Sequence, residues 1–148
     1  DNEPFLVEYN VRMGDPECQI ILPKLKSDLI TIILACIEGR LAETKIDWSH
    51  KKSLCVVLCS NGYPDNYEKN IVIDNLSKLD IDDDNFIFHA GTLKNKNQIL
   101  SIGGRVLNFI SISEDFLLAR NNIHKNIEKL NWDKGFYRKD IAFKVINK

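Results

Sequence analysis

Downstream of Lys52 the chain breaks into short apolar runs, each closed by a turn-forming residue, and then changes period once. "SLCVVLC", "IVI", "FIFHAG", "QILSIGG" and "RVLNFISIS" are separated by Gly, Asn, Asp and Pro, which is the punctuation of strands joined by tight connections. From Ser113 the period lengthens. Phe116, Ala119, Ile123, Ile127 and Leu130 recur three or four residues apart, while Arg120, Lys125 and Glu128 fall off that line. One helix opening at Ser113 follows. "WDKG" reads as a turn and "DIAFKVI" as a closing strand. Strands grouped around a single helix define an α+β class with antiparallel pairing.

The texture before Thr44 is different. Phe5, Val7 and Tyr9 alternate with Leu6, Glu8 and Asn10, a period of two that predicts a strand. "GDPE" then reads as a helix start: Gly14 permits the turn, Asp15 caps, Pro16 takes the first helical position and Glu17 favours the positive end. Pro23 stops or kinks that helix. Ser27 and Asp28 open a second one, "SDLITIILACIEGRL", closed by Gly39 and apolar nearly all round, so it is expected to be buried. Thr44 to Lys52 is polar apart from Ile46 and Trp48, the composition of a connector. The chain therefore divides into residues 1–43, a strand and two helices in need of a partner sheet, and residues 44–148. Its first residue is Asp1 and strand-like sequence begins at once, which reads as the C-terminal piece of a larger protein.

Composition narrows the function. A formal charge of −1 over 148 residues sets nucleic acid and anionic membrane aside as main partners. The longest apolar run, Leu29 to Ile37, is too short to span a bilayer. Cys18, Cys36, Cys55 and Cys59 lack zinc-like spacing and read as free, buried thiols of a reducing cytosol, with Cys55 and Cys59 on one strand face. "DIDDDN" lacks the turn glycine and final glutamate of a calcium loop and reads as a solvated loop. His89 reads as a structural histidine in a strand.

Few residues carry chemistry. Glu8 and Asn10, two apart on a strand, project to one side about 6–7 Å apart. Two oxygen donors so placed suit a hard cation such as magnesium, but spacing alone favours the polar end of a surface strand. Arg12 extends that face with a planar fork of donors fit for phosphate or carboxylate, the alternative being an ion pair with Asp15 or Glu17. "NGYP" is a sharp turn with Tyr63 and Pro64 at its tip. Gly103 and Gly104 before Arg105, and the pair Arg138 and Asp140, are arrangements that a phosphosugar site uses and that ordinary turns also use.

"EYNVRMGDPE", followed by "LPKLKSDL", resembles the end of the ATP-grasp domain in the glycinamide ribonucleotide synthetase (phosphoribosylamine–glycine ligase) family. "VVLCSNGYP", "FHAGT", "GGRVL" and "YRKDI" follow in that family's order, so the resemblance runs from Val7 to Val145. It implies a cytoplasmic, ATP-binding ligase of purine biosynthesis that activates glycine as glycyl phosphate and joins it to 5-phosphoribosylamine. It implies Glu8 and Asn10 as ligands of Mg²⁺ or Mn²⁺, with a further acidic ligand upstream, and Arg12 as catalytic. Asp15, Glu17, Tyr63, Pro64, Gly104, Arg105, Arg138 and Asp140 become substrate-binding. The implied fold is the end of an ATP-grasp domain (1–43) followed by a small, barrel-sandwich-like antiparallel domain (44–148). Asn61, Ala142 and Lys144 depart from the family's usual Gly, Gly and Arg. Asn61 tolerates the left-handed conformation that a glycine would supply. The alternatives are another ATP-grasp carboxylate–amine ligase and a non-catalytic small-molecule-binding module.

Overall fold

The computed structural model describes residues 2–146. Its elements in chain order are α1 (Glu17–Ile21), α2 (Leu29–Ile37), β1 (Lys52–Ser60), β2 (Ile71–Val72), β3 (Asn85–His89), β4 (Thr92–Asn95), β5 (Gln98–Ser101), β6 (Arg105–Ser113), α3 (Phe116–Leu130), β7 (Gly135–Phe136) and α4 (Phe143–Ile146). Short 3-10 turns follow α1 and α2 and precede β3. The strands form two antiparallel sheets, one ordered β3-β6-β1-β7 and the other β2-β5-β4. The five punctuated runs downstream of Lys52 all contribute strands; β4 and the two-residue β7 carry too little apolar pattern to be seen in sequence.

Strands β1 and β6 are the spine, paired from Lys52–Ser113 to Leu58–Leu107, with the register shifting between Leu58 and Cys59. Alternation then divides their side chains between two faces. Leu54, Val56, Leu58 and Phe109 join Ala119, Ile123, Ile127 and Leu130 of α3 in the main core. Cys55, Ile110 and Ile112 form a smaller cluster on the other face, where Ile20 of α1 packs. Both faces are covered, so β6 is buried along nearly its whole length. Gly91 ties the sheets together: its N–H donates to the Arg105 carbonyl at 2.8 Å, and its own carbonyl accepts from Ile102 and Gly103.

Helix α3 runs where its periodicity predicts, its first residue three positions after Ser113. Asp115 is the cap, accepting from the Leu118 N–H at 2.7 Å, while Ser113 stays in β6. The acidic loop before β3 is held by partners on all sides. Asp80 pairs with Lys125 (3.1 Å) and Lys129 of α3, Asp82 accepts from the Asp84 and Asn85 N–H groups, and Asp84 pairs with Lys51 at 2.6 Å.

Three expectations fail, each for want of a partner surface. Residues 5–10 are not a strand: the segment has no regular structure and is exposed, and none of the seven strands pairs with it. Helix α2 begins at the Asp28 cap and ends before Gly39 at φ +70 as predicted, yet only Ala35 on it is buried and Ile37 is 76% exposed. The closing strand is absent. The edge of β1 at that end is already taken by Gly135–Phe136, and Ile141 and Ala142 turn back onto the main core, so the chain finishes in α4. Of the thiols, Cys55 and Cys59 are buried, Cys18 is partly so, and Cys36 is exposed on α2. Asp1, Asn147 and Lys148, at the ends of the two expected domains, lie outside the described residues.

Candidate functional site

Two clefts meet at Pro16. The first, of about 610 Å³, is walled by Asn10, Arg12, Gly14, Asp15, Glu17 and Arg105. Arg105 opens β6 directly after the Gly103–Gly104 turn, and its guanidinium reaches 90 positions back along the chain. One Nη lies 3.2 Å from an Asp15 carboxylate oxygen and the other donates to the Asp15 carbonyl at 3.3 Å. The other Asp15 oxygen accepts from Gln19 Nε2 at 2.7 Å. Asp15 is therefore not the helix cap. Pro16 holds that position without a side-chain cap, and Glu17 takes the Gly14 N–H at 3.1 Å. Arg12 makes neither of the ion pairs considered for it. Its Nη1 donates to the Met13 carbonyl at 3.1 Å, and the rest of its fork faces the cleft with no carboxylate in ion-pair range among the described residues.

The second cleft, of about 400 Å³, is mostly apolar and takes in Cys55, Cys59, Tyr63, Pro64, Tyr137 and Arg138. Tyr63 lies against Gly104, where any β-carbon would collide with its ring. That steric room explains the second glycine of "GGR". In the "NGYP" turn the positive φ falls on Gly62, at +94°, so Asn61 does not use the left-handed conformation expected of it. Asn61 instead braces the neighbouring turn, its Nδ2 donating to the Asp133 carbonyl at 3.0 Å. Arg138 grips Asp140 through two bonds of 3.1 and 2.6 Å, which hold the Asp140 carboxyl below its ordinary value and the Arg138 guanidinium above its own. Burial pushes the Cys55 thiol up to about 12, helped by the charge of Asp15, and raises Cys59 as well. His89 sits apart from both clefts, its ring nitrogen 2.9 Å from the Thr92 hydroxyl.

Glu8 and Asn10 do share a side: the Asn10 amide donates to a Glu8 carboxylate oxygen at 2.9 Å, on an exposed stretch of chain. Turning the amide over presents two oxygens to one point, a donor set that fits part of a magnesium shell. No cluster of three His, Cys, Asp or Glu side chains exists among the described residues, so the remaining donors would be water, phosphate or another segment.

Eight of the eleven residues singled out in the sequence thus line the two clefts, Gly104 lies against Tyr63 of the second, and Glu8 and Asp140 are each hydrogen-bonded to a residue lining one. What the sequence did not single out is Pro16, which lines both clefts, and the thiol lining of the second, Cys55 and Cys59. Only the strand alternation that sets 55, 57 and 59 opposite 54, 56 and 58 marks it.

Comparison with known proteins bears on the fold and the family. Residues 53–144 match the family profile described as "Phosphoribosylglycinamide synthetase, C domain". The phosphoribosylamine–glycine ligase of Brucella melitensis is 39% identical over 145 residues, covering 98% of this chain and 34% of that relative. The bifunctional purine biosynthetic protein purD of Dictyostelium discoideum is 47% identical over 143 residues, 96% of this chain and 18% of its own length. The crystal structure of the phosphoribosylamine–glycine ligase of Thermotoga maritima superposes with a TM-score of 0.67 at 28% identity, over 95% of this chain and 34% of that one. The chain spans about a third of two of these relatives and less than a fifth of the other. A profile match across most of the strands and α3, and a shared fold with a solved ligase, place the chain in the phosphoribosylglycinamide synthetase C-domain family.

Proposed function

We propose that the chain is the C-terminal portion of an ATP-dependent carbon–nitrogen ligase that joins glycine to 5-phosphoribosylamine, giving glycinamide ribonucleotide, ADP and phosphate in purine biosynthesis. Residues 1–43 complete an ATP-grasp catalytic domain whose body is carried by sequence matching the other two thirds of the relatives, and residues 44–148 form the closing domain. A cytoplasmic location is part of this reading. The chain has no helix long and apolar enough to cross a membrane among the described residues.

The observation that supports this reading best is the convergence of Arg105, from the second unit, on Asp15, from the first, beside the uncommitted fork of Arg12. A glycyl phosphate carries negative charge on its phosphoryl oxygens, and the planar donors of Arg12 suit two of them at once. Arg105 and Asp15, holding one another, keep the cleft walls in register, and Glu17, with one carboxylate oxygen on the Gly14 N–H, keeps the other for the incoming amine. The apolar second cleft excludes water, which protects an acyl phosphate from hydrolysis. Glu8 and Asn10 would hold Mg²⁺ or Mn²⁺, whose charge would offset that of the ATP phosphates.

A chimera tests the reading. This chain replaces the matching third of the Brucella melitensis ligase, and ADP release is followed with glycine and phosphoribosylamine. Turnover that needs both substrates and falls at least about a hundredfold with Arg12→Ala supports the ligase. ADP release indifferent to phosphoribosylamine removes it. The chain alone is expected neither to turn over substrate nor to bind ATP with Mg²⁺ at micromolar concentration; such binding, seen by calorimetry, counts against the division at residue 43.

A further inference from the structure

Arg120, His124 and Glu128 are four residues apart on α3, so they stand one above another on the helix, off the apolar line that faces the sheet. The segment that follows β7 lies against this stripe. The His124 and Tyr137 rings are tilted at 60° with their centroids 5.3 Å apart, and an Arg120 Nη donates to the Lys139 carbonyl. Arg138 comes between those two anchors, and it lines the second cleft together with Tyr137 and Ile141. Between Phe136, which ends β7, and Ile141, which packs on the main core, α3 thus holds the segment at two points one helical turn apart.

The His124 ring can serve as an anchor only while it is uncharged. Its Nε2 is enclosed and has no hydrogen-bond partner among the described residues, so an imidazolium would bury an N–H bond with nothing to accept it. The charges around it are mostly of its own sign. Arg120 and the segment's Lys139 oppose a proton there and Glu128 favours one, while α4, packed against α3, brings Lys144. The sheet behind α3 contributes uncharged side chains. Burial first, and then the two cations, hold the imidazole below its ordinary value. The neutral ring is therefore fully in place above the ordinary histidine value of about 6.5, and is lost as the pH falls from there through the lowered one. Its neighbours on the segment do not share that range: Arg138 keeps the Asp140 carboxyl low, and burial keeps the Tyr137 hydroxyl high.

We propose that His124 and Arg120 are positioning residues that seat Arg138 on the second cleft, and that a proton on His124 unlatches the 137–140 segment. The latch stands on the contacts of α3; the use of Arg138 on substrate rests on the ligase reading. Trypsin cleavage after Arg138 and Lys139 in the full chain tests it, each rate divided by the rate on a free peptide of residues 132–146 at the same pH. Cleavage follows the population of the opened segment. It is expected to rise at least about threefold between pH 7.5 and 5.5, while cleavage at Lys125 and Lys129 within α3 stays level. His124→Phe keeps a ring against Tyr137 and removes the proton, so cleavage should stay slow at both pH values. Arg120→Ala removes the second anchor and should raise cleavage about threefold or more at both. The opening is confined to one segment, so the global unfolding midpoint moves little.

Cleavage that ignores pH, or that rises with acid equally in His124→Phe, overturns the latch. So does a matching rise within α3, or an Arg120→Ala chain cut no faster than the parent. The two readings fail separately. An inactive chimera beside His124-dependent cleavage removes the ligase and leaves the latch. In an active chimera, acid should raise the KM for phosphoribosylamine more steeply than in its His124→Phe form, with kcat less affected. Identical pH profiles for the two overturn the seating of Arg138 and leave the ligase.

Discussion

At the scale of single residues, the thiols and Gly104 are the clearest tests of the packing. Cys55 and Cys59 are buried and their thiols are raised, Cys55 to about 12, whereas Cys36 is exposed. Reactivity follows the thiolate fraction and access together. With a disulfide reagent at pH 8, Cys36 is expected to react as a free thiol does and Cys18 more slowly, with Cys55 and Cys59 silent until denaturant is added. Prompt modification of Cys55 in the folded chain would show that the second cleft is open to its floor. Gly104→Ala forces a methyl into the space of the Tyr63 ring. Overpacking of this kind costs about 1–3 kcal/mol, and Tyr63→Ala in the same chain should return most of it, since the clash then has no second party. Urea denaturation of the two single variants and the double variant measures the cycle. Additive losses would mean that Gly104 is needed for its backbone and not for the ring.

At the scale of elements, the acidic loop and α3 are joined by Asn126, a buried amide that donates to the Asp80 carbonyl at 3.0 Å and accepts from its N–H at 2.7 Å. Asn126→Ala leaves both groups to find water at the loop surface, and a loss of about 1–3 kcal/mol is expected in urea. The same loop sets an acid dependence. The lysines of α3 hold the Asp80 carboxyl below its ordinary value, and Asn85 with the Asp84 N–H does the same for Asp82. Carboxyls depressed in the folded state stabilise it fully above their unfolded value and stop doing so as the pH falls through the folded one. The unfolding midpoint is therefore expected to hold from pH 7 to about 4 and to drop below that. An Asp80→Asn, Asp82→Asn variant should start lower and show the shallower drop; an equally steep drop would assign the acid sensitivity elsewhere. This level was also the most legible in sequence. The punctuated apolar runs gave five strands because each has enough β-branched residues to fill a pleated face, and Ala119, Ile123 and Ile127 gave α3 by period alone. Where a single short run had to be decided by its neighbours, as at Ile141–Val145, alternation misled: a strand needs a free edge, and Gly135–Phe136 had taken it. The site followed the same division. Glu8 and Asn10 were readable because two residues on an extended chain share a side in any context, whereas Asp15 meeting Arg105 depends on tertiary packing that no local pattern encodes.

At the scale of the whole molecule, the apolar surface is unevenly spent. The second unit buries its side chains on both faces of the β6–β1 sheet, while the first leaves Phe5, Val7, Ile30 and Ile37 in solvent. Soluble chains seldom expose contiguous apolar patches beyond a few hundred Å² unless something covers them. Relatives of which this chain is 34% have further sequence to do so, and α2 is the element whose nearly uniform apolar surface asks for it. Ile30→Lys with Ile37→Lys separates the two situations. In the chain alone both side chains already face water, so urea unfolding is expected to shift by no more than about 0.5 kcal/mol. Concentration-dependent association, followed by sedimentation, should weaken at the same time. In the chimera with the Brucella melitensis ligase the same two lysines would be driven against a packed surface, where an unpaired buried charge costs several kcal/mol. Soluble yield and ADP release should fall together there, and limited proteolysis should open the chain near α2. A chimera indifferent to both lysines would mean that α2 stays in water in the whole enzyme, and the division at residue 43 would then have to be redrawn.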